Sequence, residues 1–117
     1  MERNLVRVFK LWDGATIAKN AAITSSPVDI RQMGVLGYFA LHLITTGTGT
    51  TTVTYIVAPE KGETFLAPAT AVDILTAAAV GSYHTSFNPL VTPFLKIVIT
   101  EDNVNPITSV RCWLVIG

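Results

Sequence analysis

Apolar and polar residues alternate with a period of two along almost the whole chain, the spacing of half-buried β-strands. Val6 to Trp12 reads as a strand, and Asp13-Gly14 has the composition of a hairpin turn leading into Ala15 to Lys19. A second extended stretch runs from Ala22 to Ile30, with Pro27 marking an edge or a bend. The clearest pattern follows, where Tyr38 to Thr46 and Thr50 to Ala58 flank Gly47-Thr48-Gly49, a glycine-bearing segment of hairpin-loop length.

The predicted hairpin has a definite register. With Thr46 opposite Thr50, Leu43 faces Val53, Leu41 faces Tyr55 and Phe39 faces Val57, all apolar. The other face collects Ile44 with Thr52, His42 with Thr54, and Ala40 with Ile56. A slip of one residue would mix the two sets, so the pattern specifies the pairing and puts Phe39, Leu41, Leu43, Val53, Tyr55 and Val57 at the centre of the core.

Beyond Pro59, the charged turn Glu60-Lys61-Gly62-Glu63 leads to Thr64 to Leu66. Pro68 to Val80 suits either a short helix ended by Gly81 or a strand over Val72 to Thr76 followed by a small-residue loop; the β character of every neighbour favours the strand. Tyr83 to Phe87, Phe94 to Thr100 and Val110 to Ile116 read as further strands, separated by Asn88-Pro89 and by a polar loop holding Glu101-Asp102-Asn103 and Asn105-Pro106. About eight short strands at this spacing predict an all-β fold, an antiparallel β-sandwich of jelly-roll type, forming a single domain over residues 1–117. Residues 1–20 are either an N-terminal hairpin of that domain or an arm used in assembly.

Composition narrows the classes of function. The 117 residues carry 8 basic and 8 acidic side chains, and charged residues are only 14% of the chain, against roughly 25% in an average soluble domain. Zero net charge argues against binding a nucleic-acid backbone, which requires a basic surplus. No apolar run approaches the ~20 residues of a membrane span, no secretory signal is visible at Met1 to Asn4, and the single Cys112 cannot form an internal disulfide. The expectation is a protein made in the cytoplasm with no membrane partner. Sixteen threonines, seven of them between Thr45 and Thr54, suit exposed strand surface.

No catalytic constellation emerges. His42 and His84, the two histidines, fall on separate predicted strands with no Cys, Asp or Glu at metal-ligand spacing, and read as satisfied or solvent-facing side chains. Cys112 shares its face with Val110, Leu114 and Ile116 and reads as a small buried hydrophobe. Glu60 with Glu63, and Glu101 with Asp102, lie at turns where carboxylates stay solvated; Glu101-Asp102-Asn103 offers oxygens but lacks calcium-loop spacing. The chain is expected to be no enzyme and to hold no cofactor or metal.

The surface is more informative. Leu95, Ile97 and Ile99 share one face of their strand, and Val110, Cys112, Leu114 and Ile116 one face of theirs; both sets can close on the core. The opposite faces carry Phe94, Lys96, Val98 and Thr100, and Arg111, Trp113 and Val115, more apolar than a solvated sheet face should be. Either another strand or the N-terminal segment covers them, or they form a subunit interface built on Phe94, Val98, Arg111, Trp113 and Val115.

Four stretches taken in order carry a resemblance: TSSPVDI (Thr24 to Ile30), GYFALHLITTGTGTTTVTYIVAP (Gly37 to Pro59), SFNPLVTPFLKIVITEDN (Ser86 to Asn103) and SVRCWLVIG (Ser109 to Gly117). Their strand order and composition resemble small β-sandwich proteins encoded among bacteriophage structural genes, the head-decoration, cement and accessory subunits. The resemblance implies a virion component that self-assembles, often as a trimer, and attaches to the major capsid or another virion protein. It transfers no functional residues, because such proteins act through surfaces. A competing reading is a carbohydrate- or receptor-binding module, since TPFLKIVITEDN (Thr92 to Asn103) also looks like the penultimate strand of such modules; Trp12 and Tyr83 are then the aromatics nearest to loops.

Overall fold

A computed structural model describes residues 6–30, 38–69, 73–89, 92–102 and 105–117. Seven strands appear: β1 (Arg7–Ile17), β2 (Ala22–Thr24), β3 (Val28–Asp29), β4 (Phe39–Ala58), β5 (Leu75–Phe87), β6 (Phe94–Glu101) and β7 (Ile107–Ile116). All pairings between them are antiparallel. The all-β, sandwich-like expectation holds, with seven strands among the described residues.

The two layers are the two ends of one curled sheet. β4 is the central strand, with β5 along one edge from Phe39 to Val53. On its other edge, the half from Phe39 to Gly47 pairs with β7, and the half from Thr51 to Ala58 pairs with β6. β1 extends the first layer beyond β7, while β2 and β3 line β6 in the second. A straight strand of 20 residues would reach about 66 Å, yet the longest dimension of the molecule is 46 Å. β4 therefore bends, and Leu41, Leu43, Val53 and Tyr55, spread over both halves, point into one core with Leu95, Ile97, Ile99, Val110, Cys112, Leu114 and Ile116.

Gly47-Thr48-Gly49 is thus the bend of a continuous strand, and the predicted hairpin is corrected. The reason lies far away in sequence. A Cβ on Gly49 would stand 2.4 Å from the Asn105 carbonyl oxygen, and one on Gly47, at φ +120°, 2.8 Å from that of Pro106. The glycines let the segment before β7 pass directly over β4, where the Thr48 N–H donates to the Pro106 carbonyl at 3.3 Å. The inner-face assignment survives: Leu41, Leu43, Val53 and Tyr55 are buried, and Phe39 and Val57 pack on the core half-buried.

Asp13-Gly14 is corrected in the same way. β1 runs through it, and Gly14, at φ +99°, sits where the register against β7 shifts between Asp13 and Ala15, a bulge. Within residues 1–20, Arg7–Ile17 form one strand on β7 where a hairpin turn was expected at Asp13-Gly14; residues 1–5 lie outside the described set. Pro27 does mark a break, between β2 and β3, across which buried Ser25 accepts the Ile97 N–H through its Oγ at 2.9 Å. In Pro68 to Val80 the strand alternative holds in part, since β5 begins at Leu75 and continues through Gly81 to Phe87; residues 70–72 lie outside the described set.

Candidate interaction surface

The outer face of the first layer is built by register. Lys10 of β1, Trp113 of β7, His42 of β4 and His84 of β5 stand side by side across four strands. A neighbouring row holds Val8, Val115, Ala40 and Ser86, and on the other side Arg111 pairs with Ile44 and Asp13. Trp113 is the centre of this face. Its ring meets that of His42 edge-on at 5.4 Å between centroids, and the Arg111 guanidinium lies 5.0 Å from the ring centre. Asp13 holds both cations, Arg111 Nε at 3.3 Å and Lys10 Nζ at 3.4 Å. Trp113 and Val115 are half-buried, whereas Val8 is 61% exposed.

The second layer presents a different surface. There Val98 stands between Thr24 and Thr54, and Thr100 between Ala22 and Thr52. The hydroxyls of Thr50 and Thr52 both donate to the Asp102 carboxylate and hold it below its usual range. Threonine is the commonest residue of this surface, beside Val98, Ile56 and Lys96, whose ammonium lies 4.3 Å from the centre of the Phe65 ring; the other surface is built around Trp113 and Arg111.

The structure divides the residues expected to form one interface. Arg111, Trp113 and Val115 share the outer face of the first layer. Val98 lies on the second layer, because β6 and β7 pair with different halves of β4. Phe94, expected to face outward, is only 8% exposed and joins the buried set. Strand alternation predicted an outward Phe94, but it opens β6 opposite Ala58 and Asp29, where the chain around it covers its ring.

Other candidates also settle. Cys112 is fully buried, and burial pushes its thiol up to about 12. Trp12 and Tyr83, placed near loops as sugar platforms, lie within β1 and β5 and pack against the core; the Tyr83 hydroxyl donates to the Ala79 carbonyl at 2.7 Å. Glu101, expected to be solvated, is 1% exposed. Its carboxylate accepts the Asn20 N–H at 2.9 Å and the Thr50 N–H at 3.4 Å, tying the β1–β2 turn to the bend of β4. Glu101 is buried and Asp102 exposed, the first accepting the Thr50 N–H and the second the Thr50 hydroxyl; Asn103 lies outside the described residues. The sequence signal for a buried Glu101 was its place as the next inward position after Leu95, Ile97 and Ile99.

His42 and His84, read separately in the sequence, are direct cross-strand partners, their Nδ1 atoms 3.0 Å apart. No spacing rule within one strand could have joined residues 42 apart in sequence.

No protein-family model and no curated protein matches this sequence. Among solved structures, the chain is similar to the PBSX exported protein XepA, with a TM-score of 0.66 and 11% identity over 95% of this chain. It is also similar to a chain in the structure of the infectious bursal disease virus Gt strain, with a TM-score of 0.55 and 12% identity over 95% of this chain. It spans only 37% and 32% of the lengths of those two chains. At such identities the likeness is one of fold, and the fold is one found in a virus structure and in an exported protein.

Proposed function

We propose that this chain is a non-enzymatic structural subunit of a virus or phage particle, self-associating, as a trimer in the form the phage resemblance implies, and attached to the major capsid or another virion protein. The observation that carries this reading is the contrast between the two outer faces. One is rich in threonine and has no tryptophan among its described residues. The other sets Trp113 and Arg111, two of the side-chain types that concentrate binding free energy at protein interfaces, among the aliphatic Val8, Val115 and Ile44. Occurrence of the fold in a chain of a virus structure supports it. Burial of such a face contributes about 25 cal/mol per Å2 of apolar area, and a specific interface needs roughly 1,600 Å2 in total.

Native mass spectrometry at low micromolar concentration tests the reading. The expected result is a species heavier than the 12.6 kDa chain, shifted toward monomer by Trp113→Ala and unaffected by Glu60→Lys on the exposed β4–β5 connection. A monomer in every case would overturn it. A glycan-array signal that Trp113→Ala removes would reassign the face to sugar binding.

A further inference from the structure

The geometry points to a transition-metal site on the outer face of the first layer, with His42 and His84 as cis ligands through their Nδ1 atoms. The pair lies at the β5 edge of the face assigned above to assembly, and the inference concerns the chain with that edge uncovered.

Three observations carry it. The two rings sit on adjacent antiparallel strands at directly paired positions, 5.2 Å between centroids, with Nδ1 facing Nδ1 at 3.0 Å. Metal–imidazole bonds are about 2.0–2.1 Å long. Two such bonds ending 3.0 Å apart enclose an angle near 95° by the same bond lengths, close to the cis angle of a tetragonal or octahedral ion and narrower than the tetrahedral one. Cu2+ and Ni2+ favour that geometry with nitrogen and oxygen donors, and Cu2+ stands highest in the affinity order.

Secondly, the ligand pair is pre-arranged. The imidazoles are held by the β4–β5 ladder, and His42 is wedged against the Trp113 ring. Thirdly, the pair is open to solvent, His84 being exposed, so water can complete the coordination sphere. The nearby cations are turned to Asp13, and in the register Trp113 stands between Lys10 and His42. Coordination uses the Nδ1 lone pair of both rings, so the hydrogen of the donating Nδ1 passes through solvent to Nε2 of the same ring, and each imidazole is coordinated in its neutral Nε2–H form.

The test is titration of the full chain with Cu2+, Ni2+ and Zn2+ salts, followed by calorimetry and tryptophan fluorescence. The chain has two histidines in all, so any imidazole contribution belongs to them. One equivalent of Cu2+ is expected to bind saturably and quench Trp113, with Ni2+ and Zn2+ weaker. His84→Ala, at an exposed position, should weaken Cu2+ binding about tenfold or more without changing the circular dichroism spectrum or melting temperature. His42→Gln should do the same, and Trp113→Phe should keep the binding while losing the quench. Absence of saturable binding, or binding unchanged in the His42→Gln/His84→Ala double variant, would overturn the proposal, since the ion would then sit elsewhere.

Discussion

Cys112 and Thr51 show how far a single buried atom is governed by its surroundings. Desolvation holds the Cys112 thiol protonated up to about 12, so in the native state it is a packing group. The expected outcome is no reaction with a thiol reagent at neutral pH until denaturant is added. The sign of the pH effect follows. The unfolded chain releases this proton at the ordinary thiol value of about 8.5, and the folded chain retains it to about 12. Stability from this group is therefore complete below the first value and declines as pH rises toward the second. Thr51 is the opposite case: a fully buried residue whose Oγ1 finds no hydrogen-bond partner among the described residues. Thr51→Val keeps the shape and removes the unsatisfied hydroxyl, so it should raise stability by roughly 1 kcal/mol in a urea titration.

Among the elements, β4 decides the architecture, and its bend rests on contacts from outside the strand. Four residues, 46–49, span the interval that a single residue of β5, Val80, spans opposite them. The strand takes the longer track around the corner, and Gly47 and Gly49 leave room for the chain between β6 and β7 to cross it. Glu101 locks the same corner through two backbone N–H groups. Gly49→Ala would force a methyl against the Asn105 carbonyl and the Glu101 carboxylate, and should cost about 2 kcal/mol or more. Glu101→Ala leaves both donors without their acceptor and should cost roughly 1–3 kcal/mol. Both are read from denaturant midpoints, and the double variant should fall short of the sum because the two changes act on one corner.

At the scale of the whole molecule, curling the sheet gives two outer faces of different chemistry from one continuous β4. If the Trp113 face is an interface, Trp113→Ala must weaken association more than Glu60→Lys does, with both variants melting as the parent protein does; mass measurement and thermal melting separate the two effects. Trp113 is half-buried and outside the core cluster, so truncating it removes surface without opening a core cavity. Of the five residues grouped from the sequence, Arg111, Trp113 and Val115 share this face, and Phe94 and Val98 do not. Alternation says which side of a strand a residue occupies, and nothing in it says that β6 and β7 lie on different layers.

The binary pattern by itself determined the strand content and nearly every inward position, because burial in a β-fold follows the two-residue repeat. Phe94 escaped it at a strand end, and Glu101 obeyed it while its loop composition suggested solvent. What only tertiary structure decided was the meaning of the glycines. A hairpin with Thr46 opposite Thr50 and a continuous strand through Gly47-Thr48-Gly49 both place Leu41, Leu43, Val53 and Tyr55 on the same side, so the pattern is blind to the choice. The choice was made by residues 105–108 passing over the bend, and the meeting of His42 with His84 was made by the edge strand that this bend leaves free to pair with both halves of β4. Local chemistry sets which face is buried; which segments meet depends on contacts that no local pattern contains.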